Sequence, residues 1–534
     1  MARQGKRIDA RRCVAAAVLA VAGMDAAALS FESESGFTLD LDTTLTWGAQ
    51  WRVEGARSGQ LRRLPAQWDD WAFARRFAYL SDPQTVIAQN MDDGNNNFDK
   101  GLISNRATAL VELELERDGY GVFLRGKAFY DQVYRDRDTD MDAVGYRTMN
   151  DAPGVARGDF IERTRDEHGA KAELLDAYVY GGFDIGERLL DLRVGRQVIN
   201  WGEATFFSGI NGMQNWYDAA VANVPGTEVK EIYMPTGAVY AQIDLSSAVA
   251  LQGYYQYEWK PTRLNAVGSY FSQQDFLGPG AAHFYLGVLD LFGLDPRLPR
   301  LPDDEPGEQG QWGVALRYAL ESGAELGFYY LNAHNKAPSF QRNGVPLPTD
   351  FQLRYFDDIR VVGASFSTIL GDTQVNGEVS YRDGLPMTVT SGNPERQEVM
   401  QGQIGFTQVF QPRALWDDLS VVGEFVAVDV LNRSNNEMSG DARGVAYALR
   451  AEFAYKNVME ALDVSVPVFV QHTLDGTVRE ANLVEDAVTF SIGLRGTWSN
   501  VVIAEITYAN YFGGGFDNWL TDRDNIAFNV KYSF

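Results

Sequence analysis

The chain has 534 residues, of which 45% are hydrophobic and 22% are charged, with a formal net charge of −25 and one cysteine. This apolar content excludes an intrinsically disordered chain, and the strong acidity argues against binding to nucleic-acid phosphates. One cysteine cannot form a disulfide within the chain or a zinc site built on several cysteines. Length alone suggests three or four globular domains, but the strand pattern along the chain favours one.

Residues 1–28 have the pattern of a secretory signal peptide. Five basic residues flank the start of the segment, a short apolar run follows at 13–23, and small residues at 26–28 offer a cleavage site. The apolar run is much shorter than the roughly 20 residues that a membrane-spanning helix needs. We therefore expect the segment to direct export and to be removed, which leaves residues 29–534 as a mature chain without cysteine.

Strict alternation of apolar and polar residues is the main structural signal. Residues 39–53 carry apolar side chains at every odd position except Thr43 and mostly polar ones at even positions. This run is longer than the usual globular strand. Residues 107–116 and 120–131 repeat the pattern on either side of a tight turn at 117–119. Alternation of this kind predicts strands with one apolar face and one polar face.

The same pattern continues to the C-terminus and predicts 18 strands, with 16 as the alternative count. Short turns alternate with long connections, which is typical of an all-β transmembrane antiparallel barrel with short periplasmic turns and long outer loops. A soluble propeller is disfavoured because no repeat near 40–50 residues is evident. The predicted strands lie near 37–53, 102–116, 120–134, 171–182, 189–201, 236–245, 249–260, 311–320, 324–333, 358–369, 373–383, 398–410, 418–430, 444–456, 461–472, 486–498, 501–512 and 524–534.

The last predicted strand ends on an aromatic residue. Tyr532 and Phe534 both lie on the apolar face of this strand. A terminal aromatic residue on an alternating strand resembles the signal that the outer-membrane barrel-assembly machinery reads. We expect these two residues to form that signal, and we expect outer-membrane lipids, including lipopolysaccharide, to surround the barrel.

The polar face of a membrane barrel lines its lumen, so strand parity nominates lumen side chains. Glu112 and Arg125 take mirror positions around the 117–119 turn and are expected to pair across the strands. Such charges either stabilise a wet wall or select solutes. Arg196 falls on the apolar parity, and we expect a bulge at Gly195 to turn it inward, because an arginine that faces lipid is costly. Further lumen candidates are Glu114, Lys127 and Arg193.

Residues 195–235 break the alternation and are too apolar for a fully solvated outer loop. Their aromatic and aliphatic side chains require burial. We therefore predict that segment 202–235 either folds into the lumen and narrows it or caps the rim of the barrel. The candidate residues of this constriction are Trp201, Glu203, Phe206, Phe207, Trp216, Glu228 and Lys230.

Metal and catalytic sites have weaker support. A polar segment offers oxygen atoms at alternate positions, as a calcium loop does, but its glycine is misplaced for an EF-hand and a serine stands where the bidentate glutamate would be. A polar turn is the better interpretation. The four histidines are isolated, and the sequence lacks GxSxG, P-loop and GxGxxG patterns, so we expect neither catalytic residues nor a cofactor. The weak calcium candidates are Asp93, Asn95, Asn97 and Asp99.

Six segments occur in a recognisable order along the chain. They are DDGNNNFDKGLISN (92–105), AELLDAYVYGGFDIG (172–186), VGRQVINWGE (194–203), VPGTEVKE (224–231), YYQYEWKPT (254–262) and GSYFSQQDFLGPG (268–280). With them the mature chain resembles a proteobacterial outer-membrane β-barrel family catalogued as domain of unknown function thirteen-oh-two. The resemblance implies an outer-membrane location in a Gram-negative bacterium and no assigned active site. Members are often encoded beside a resistance-nodulation-division permease and a periplasmic factor that looks like a lipoprotein-sorting protein, which makes both candidate partners.

The sequence thus favours an outer-membrane channel or transport-associated barrel that passes small solutes, hydrophobic ones included. The leading alternative is a non-channel structural or assembly component of an envelope export system. An outer-membrane lipid hydrolase is a third reading, and it requires a serine and a histidine within hydrogen-bond reach of each other.

Overall fold

The computed structural model describes residues 29–57, 67–137, 158–344 and 348–534, so the predicted signal peptide lies outside the described residues. The described chain forms a closed antiparallel barrel of 18 strands, numbered β1 to β18 in chain order. The strands are Thr38–Arg52, Gly101–Arg117, Tyr120–Asp131, Ala170–Ile185, Arg188–Gln197, Thr236–Ser246, Val249–Gln256, Gln311–Ala319, Glu325–Ala333, Ile359–Leu370, Thr373–Thr388, Pro394–Phe410, Asp418–Val430, Arg443–Met459, Leu462–Asp475, Val488–Trp498, Val502–Phe512 and Asn525–Ser533.

The predicted strand count of 18 is confirmed, and each predicted strand overlaps one barrel strand. The largest difference lies between β11 and β12, whose ladder runs on to Thr388 and Pro394. Gly384 and Pro386 interrupt the alternation there, so the sequence pattern ends early. The structure accommodates them with a register shift between Asp383 and Leu385, and pairing resumes beyond it.

The barrel closes where the first strand meets the last. β1 pairs with β18 from Thr44 opposite Ser533 to Arg52 opposite Asn525. The backbone N–H of Phe534 then donates to the Thr43 carbonyl at 3.0 Å. Beyond that point a short N-terminal strand, Leu29–Glu32, pairs with the start of β1 and continues the wall on the same edge. Every barrel strand therefore has a partner on both sides.

The predicted alternation appears as an apolar outer belt and a largely polar interior. In β1, for example, Trp47 and Trp51 are exposed on the outward face, whereas Gln50 and Arg52 are buried on the inward face. No helix in the described ranges is long and apolar enough to cross a bilayer. Exposed outward side chains in the other strands include Val111, Val179, Phe328, Ile404, Phe425, Ile492 and Ile506.

Tight turns occupy one end of the barrel and long connections the other. In the turn between β2 and β3, Asp118 and Gly119 have φ angles of 52° and 79°, the combination that a two-residue hairpin turn requires. At the long-loop end, the described parts of the connections carry short strand pairs, 3₁₀ turns and five α-helices. The helices are Phe73–Ser81, Pro83–Ala88, Asp93–Asn96, Gln132–Asp136 and Glu162–Thr164.

The outer belt generates the first prediction. Ile404 faces outward in β12, is 52% exposed and lies opposite Gly377 and Phe425. Ile404→Arg should lower the free energy of unfolding in lipid vesicles by about 2–4 kcal/mol, the cost of a cation on the lipid face near mid-membrane. Denaturant titration followed by tryptophan fluorescence measures it, with Ile404→Val as the control. Equal stability of the two variants would show that this face does not meet lipid.

Candidate functional site

The connection between β5 and β6, residues 198–235, enters the barrel and is called the inner loop. It contains two 3₁₀ turns, Ile210–Met213 and Val229–Glu231. Its two-residue strands Trp216–Tyr217 and Tyr233–Met234 pair with each other. The loop contacts inward-facing side chains from strands on opposite sides of the barrel. The prediction that segment 202–235 folds into the lumen is thereby confirmed, and the rim-cap alternative is wrong.

Trp201 anchors the start of the inner loop in an apolar cluster on the inner wall. The side chain is only 2% exposed. Its ring centroid lies 4.9 Å from that of Tyr254 on β7 and 6.0 Å from that of Tyr329 on β9. Ile199, Ile210 and Met213 of the loop join the same cluster against wall residues Ala238, Tyr240, Ala315, Leu331, Ala333, Ile359 and Val361.

A carboxylate on β13 holds the next part of the loop. Glu424 is buried and accepts backbone hydrogen bonds from three consecutive residues: Thr205 at 2.9 Å, Phe206 at 2.6 Å and Phe207 at 2.8 Å. Hydrogen bonds to an ionised acceptor are shorter and stronger than neutral ones. Glu424 thus fixes the backbone of the loop directly, independently of the loop's side chains.

A second carboxylate, Glu378 on β11, binds the same segment from the neighbouring wall. It accepts from the backbone N–H groups of Glu203 at 2.7 Å and Ile210 at 2.8 Å. A Cβ atom on Gly209 would lie 1.6 Å from Glu378 Oε1, and one on Gly202 would lie 2.2 Å from Oε2. A side chain at either position would push the Glu378 carboxylate away from the loop, and Gly202 also has a φ of 92°, which glycine adopts most readily.

Amide side chains of β12 complete the polar contacts on this side. Gln401 donates to the Ser208 carbonyl at 2.9 Å, and Gln403 donates to the Phe207 carbonyl at 3.2 Å. Residues 203–210 therefore find hydrogen-bond partners for both N–H and C=O groups in the wall. This arrangement meets the requirement that a buried loop satisfy its backbone polar groups.

The far end of the inner loop is tied to the opposite wall by ion pairs. Lys230 Nζ lies 2.6 Å from Glu112 on β2. Glu231 lies 2.8 Å from Lys127 on β3. The loop's Glu228 lies 2.8 Å from Lys531 on β18. β2 and β18 adjoin β1, and β3 follows β2, whereas β11–β13 lie across the barrel. The inner loop therefore spans the lumen.

Most of the predicted site residues contribute to this arrangement. Glu112 and Arg125 lie 2.9 Å apart, as predicted. Glu114 accepts a hydrogen bond from the Tyr180 hydroxyl, and Arg193 lies over the Tyr240 ring, so both face the interior without contacting the loop. The loop candidates each contact the wall or the loop itself: they are Trp201, Glu203, Phe206, Phe207, Trp216, Glu228 and Lys230.

Arg196 is the exception, and its predicted inward turn is wrong. Arg193 and Gln197, on the other parity of β5, contact the interior, so the strand keeps its alternation and Arg196 faces outward. Its guanidinium donates to the Leu174 carbonyl at 3.1 Å and lies 3.5 Å from Glu258. The position near the long-loop end of the strand and the ion pair make this outward arginine tolerable.

The alternate-position calcium pattern is not formed either. Residues 93–96 make one helical turn, so their side chains do not converge as in an extended ligand loop. The Asn95 oxygen accepts from Arg52 at 2.7 Å, and Asn97 uses its amide nitrogen to bind a backbone carbonyl. Asp99 is exposed. These contacts compete with the cation that the pattern suggested.

The two wall carboxylates that hold the loop, Glu378 and Glu424, were missed by sequence reasoning. One signal was available. Strand 418–430 carries apolar side chains on both of its faces. Val426, Val428 and Val430 point inward, and Phe425 points outward. An apolar inner face indicates that protein covers it, and an isolated carboxylate on that face indicates a buried polar partner.

A buried lysine joins the inner loop to a neighbouring outer loop. Lys336, three residues beyond β9, donates to the carbonyls of Met213 at 3.1 Å and His334 at 3.2 Å and to Gln311 Oε1 at 3.0 Å. Burial lowers the pKa of this ammonium group from 10.5 to about 7. Lys336 therefore makes these contacts although its burial disfavours the charged form of the ammonium group.

Two of the four histidines are bound by backbone groups. His168 accepts the Ala266 N–H at 3.1 Å, and burial lowers its pKa to about 3. His334 accepts the Asp358 N–H at 3.1 Å through Nδ1. Neither arrangement offers the serine–histidine contact that a hydrolase requires.

Comparison with known proteins gives one family and a set of porin structures. Residues 10–534 match the family model described as "Protein of unknown function (DUF1302)". The chain is similar to the crystal structure of Acinetobacter baumannii OccAB1 at 10% identity, with 95% of this chain and 99% of that one covered and a TM-score of 0.46. It is similar to the crystal structure of Pseudomonas aeruginosa OccK5 (OpdH) at 7% identity, with 93% of this chain and 98% of that one covered and a TM-score of 0.43. It is also similar to Salmonella typhi OmpF in complex with daunomycin at 10% identity, with 95% of this chain and 100% of that one covered and a TM-score of 0.40. No curated protein matches the sequence.

The Glu424 contacts predict a measurable effect on the loop. Glu424→Gln keeps the side-chain size but replaces an anionic acceptor by a neutral amide, and hydrogen bonds to charged groups contribute about 1.5–3 kcal/mol each. The amide protons of residues 205–207 should then exchange with deuterium at least about tenfold faster. The control is Glu114→Gln, an inward carboxylate that does not touch the inner loop. Glu424 and Glu378 are called the two clamps, because each holds backbone N–H groups of the inner loop. Unchanged protection at 205–207 would show that Glu424 does not act as a clamp.

The Lys336 contacts predict a pH dependence. Because its folded pKa of about 7 lies below 10.5, the unfolded state holds more protons between these values, and stability rises with pH in that window. The difference in free energy of unfolding between wild type and Lys336→Met should therefore shift in favour of wild type from pH 7 to pH 9, by up to about 1.4 kcal/mol per unit. A flat difference across this range would show that Lys336 is not desolvated.

Proposed function

The chain belongs to the DUF1302 family, and on that premise we propose that it is an outer-membrane channel for small apolar or amphipathic solutes, closed at rest by its inner loop. An apolar outer belt on a closed barrel supports the membrane location. Export by way of the signal at 1–28, and assembly through Tyr532 and Phe534, belong to the same proposal.

The observation that carries the proposal is an apolar stripe on the inner wall. In β13, Val426, Val428 and Val430 face inward and are buried, where a hydrophilic pore presents polar side chains. Phe207 of the inner loop packs into the same cluster as Met387 of β11. The loop therefore covers a surface suited to apolar groups, and exposing that surface would offer such groups a path along β11–β14.

The contacts of the inner loop explain how such a path is kept shut. Five backbone N–H groups bind Glu378 and Glu424, so residues 203–210 cannot leave the wall without breaking charge-assisted bonds. A solute or a partner can shift the loop only by interacting more favourably with the opened arrangement than with the closed one. The closed arrangement would limit leakage of water and ions.

A second candidate function is favoured by the same two-sided attachment. A loop tied to β11–β13 by carboxylates and to β2, β3 and β18 by ion pairs can also seal a barrel that never conducts. Such a barrel would be a structural or assembly component of an export system. Its proposed partners are a periplasmic factor similar to lipoprotein-sorting proteins and a resistance-nodulation-division permease, which would meet the short-turn end.

Planar-bilayer recordings separate the two functions. Wild-type protein should show small or rare conductance steps. The double variant Glu378→Gln/Glu424→Gln should show larger and more frequent steps, because both clamps lose their charge. Deletion of 206–224 should enlarge the conductance further. Glu114→Gln, which keeps both clamps, is the control. If none of the four proteins shows conductance steps, the channel proposal is wrong and the structural role is favoured.

The apolar part of the proposal has its own readout. Energy transfer from the tryptophans of the protein to cis-parinaric acid reports binding of an apolar chain to the barrel. We expect stronger transfer in the clamp double variant than in wild type, and loss of that gain when Val428→Asp is added, because a charge would then interrupt the stripe. If energy transfer in the clamp double variant is the same with and without Val428→Asp, the apolar stripe does not bind the probe, and the proposal that the channel favours apolar solutes is wrong.

A further inference from the structure

A groove of about 380 Å³ lies on the outward face of the barrel, beside the short turns that join β2 to β3 and β4 to β5. It is called the wall groove. Aliphatic side chains of four neighbouring strands line it, and they follow one another across the ladder: Leu115 lies opposite Val122, Val122 opposite Val179, and Val179 opposite Val194. The wall groove therefore belongs to the apolar belt, which meets lipid.

A glycine and two aromatic rings shape the short-turn side of the wall groove. Gly181 of β4 faces outward, opposite Tyr120 of β3 and Leu192 of β5. The Tyr120 ring lies over this glycine, because a Cβ atom on Gly181 would lie 2.3 Å from Tyr120 Cδ1. In that position the ring packs edge to face against Phe183, with 5.5 Å between the centroids. Two large rings thus border smaller aliphatic side chains, which leaves a recess in the belt.

Two arginines lie on the same outward face, each next to one of the short turns. Arg117, the last residue of β2, lines the wall groove and lies 4.9 Å from the centre of the Phe37 ring. Its side chain is 47% exposed, and its ion-pair partner Asp118 is 81% exposed, so water screens this pair and a further anion can bind. Arg188, the first residue of β5, is exposed and shares its face with Leu192. The recess is therefore apolar along the wall and cationic at its short-turn end.

We infer that the wall groove binds one phospholipid of the periplasmic leaflet, with an acyl chain along the aliphatic side chains and the phosphate at the two arginines. Short turns of outer-membrane barrels face the periplasm, and the leaflet on that side consists of phospholipids. A guanidinium group binds phosphate through two parallel hydrogen bonds. Long cationic side chains at the edge of the hydrocarbon reach the headgroup level. The bound lipid would fill a recess that the belt otherwise leaves open.

The other candidate occupants are a second barrel and lipopolysaccharide. A barrel wall is convex, so a second copy would not fill a concave recess, whereas a flexible acyl chain can follow its shape. Lipopolysaccharide occupies the opposite leaflet, at the long-loop end. The inference depends on the membrane location of the barrel and not on conduction, so the channel recordings neither support nor contradict it.

Native mass spectrometry tests the inference on protein refolded into vesicles of phosphatidylethanolamine and phosphatidylglycerol and then extracted with mild detergent. Wild type should retain one phospholipid per chain. Val179→Trp should retain at least about tenfold less, because the indole would occupy the groove and remove the apolar contact of the acyl chain. Val362→Trp is the matched control, since Val362 of β10 also faces outward and both valines are 52% exposed. Equal retention by the two variants would overturn the site.

The headgroup contact has its own variant. Arg117→Gln/Arg188→Gln should retain phospholipid at least about threefold less than wild type, because neutral amides replace charge-assisted bonds to the phosphate. Arg413→Gln changes an exposed cation in the turn between β12 and β13 and should retain as much as wild type. If the double variant also retains as much, the two arginines do not hold the phosphate, and that part of the inference is wrong.

Two further measurements identify the occupant. When lipopolysaccharide is added to the vesicles, wild type should still retain phospholipid, and replacement of the phospholipid by lipopolysaccharide would overturn the inference. Light scattering in detergent should give the same protein mass for wild type and Val179→Trp. A wild-type dimer that Val179→Trp dissociates would instead assign the groove to a second copy. Heat-modifiable migration on gels shows whether each variant has folded, and Val194→Trp replaces Val179→Trp if the latter fails to fold.

Discussion

The requirement that every backbone polar group within the hydrocarbon find a partner inside the protein determines the rest of this structure. The ladder between β1 and β18 meets it for the two strands that would otherwise be edges. Once the sheet is closed, lipid contacts only its outward side chains, and those are apolar, as Trp47 and Ile404 illustrate. Inward side chains are released from contact with lipid. Alternation with a period of two follows from that difference between the two faces.

Closure also creates the problem that the inner loop solves. A barrel of 18 strands is too wide for its own side chains to fill, and comparable barrels leave an aqueous channel. Here a loop of the chain enters the space, and its irregular backbone needs hydrogen-bond partners of its own. Glu378 and Glu424 serve the N–H groups of residues 203–210, and Gln401 and Gln403 serve the carbonyls. The inward polarity of these strands is therefore explained largely by what the loop requires.

The sequence predicted the interactions that depend on local register and missed those that depend on closure. Parity and one tight turn were sufficient to place Glu112 opposite Arg125. The bond from Phe207 to Glu424 joins residues 217 positions apart and exists only because the barrel closes around the loop, so no local pattern encodes it. Arg196 was misplaced for a related reason, since its partner Glu258 lies beyond two further strands. Asp92, Asp93 and Asp275 likewise come together from loops that are distant in sequence.

The two attachments of the inner loop differ in kind, and this difference bears on how the lumen would open. On the β11–β13 side, buried carboxylates bind backbone N–H groups, and an apolar solute offers nothing to replace those bonds. On the β2 and β18 side, the contacts are side-chain ion pairs, and Lys230 and Glu228 remain 33% and 38% exposed. Water can solvate these two charges when they separate, so the cost of parting them is small. The pair between Glu231 and Lys127 on β3 is buried and costs more to break. Opening should therefore begin at the exposed pairs of Lys230 and Glu228, with residues 203–210 remaining on the wall as the hinge.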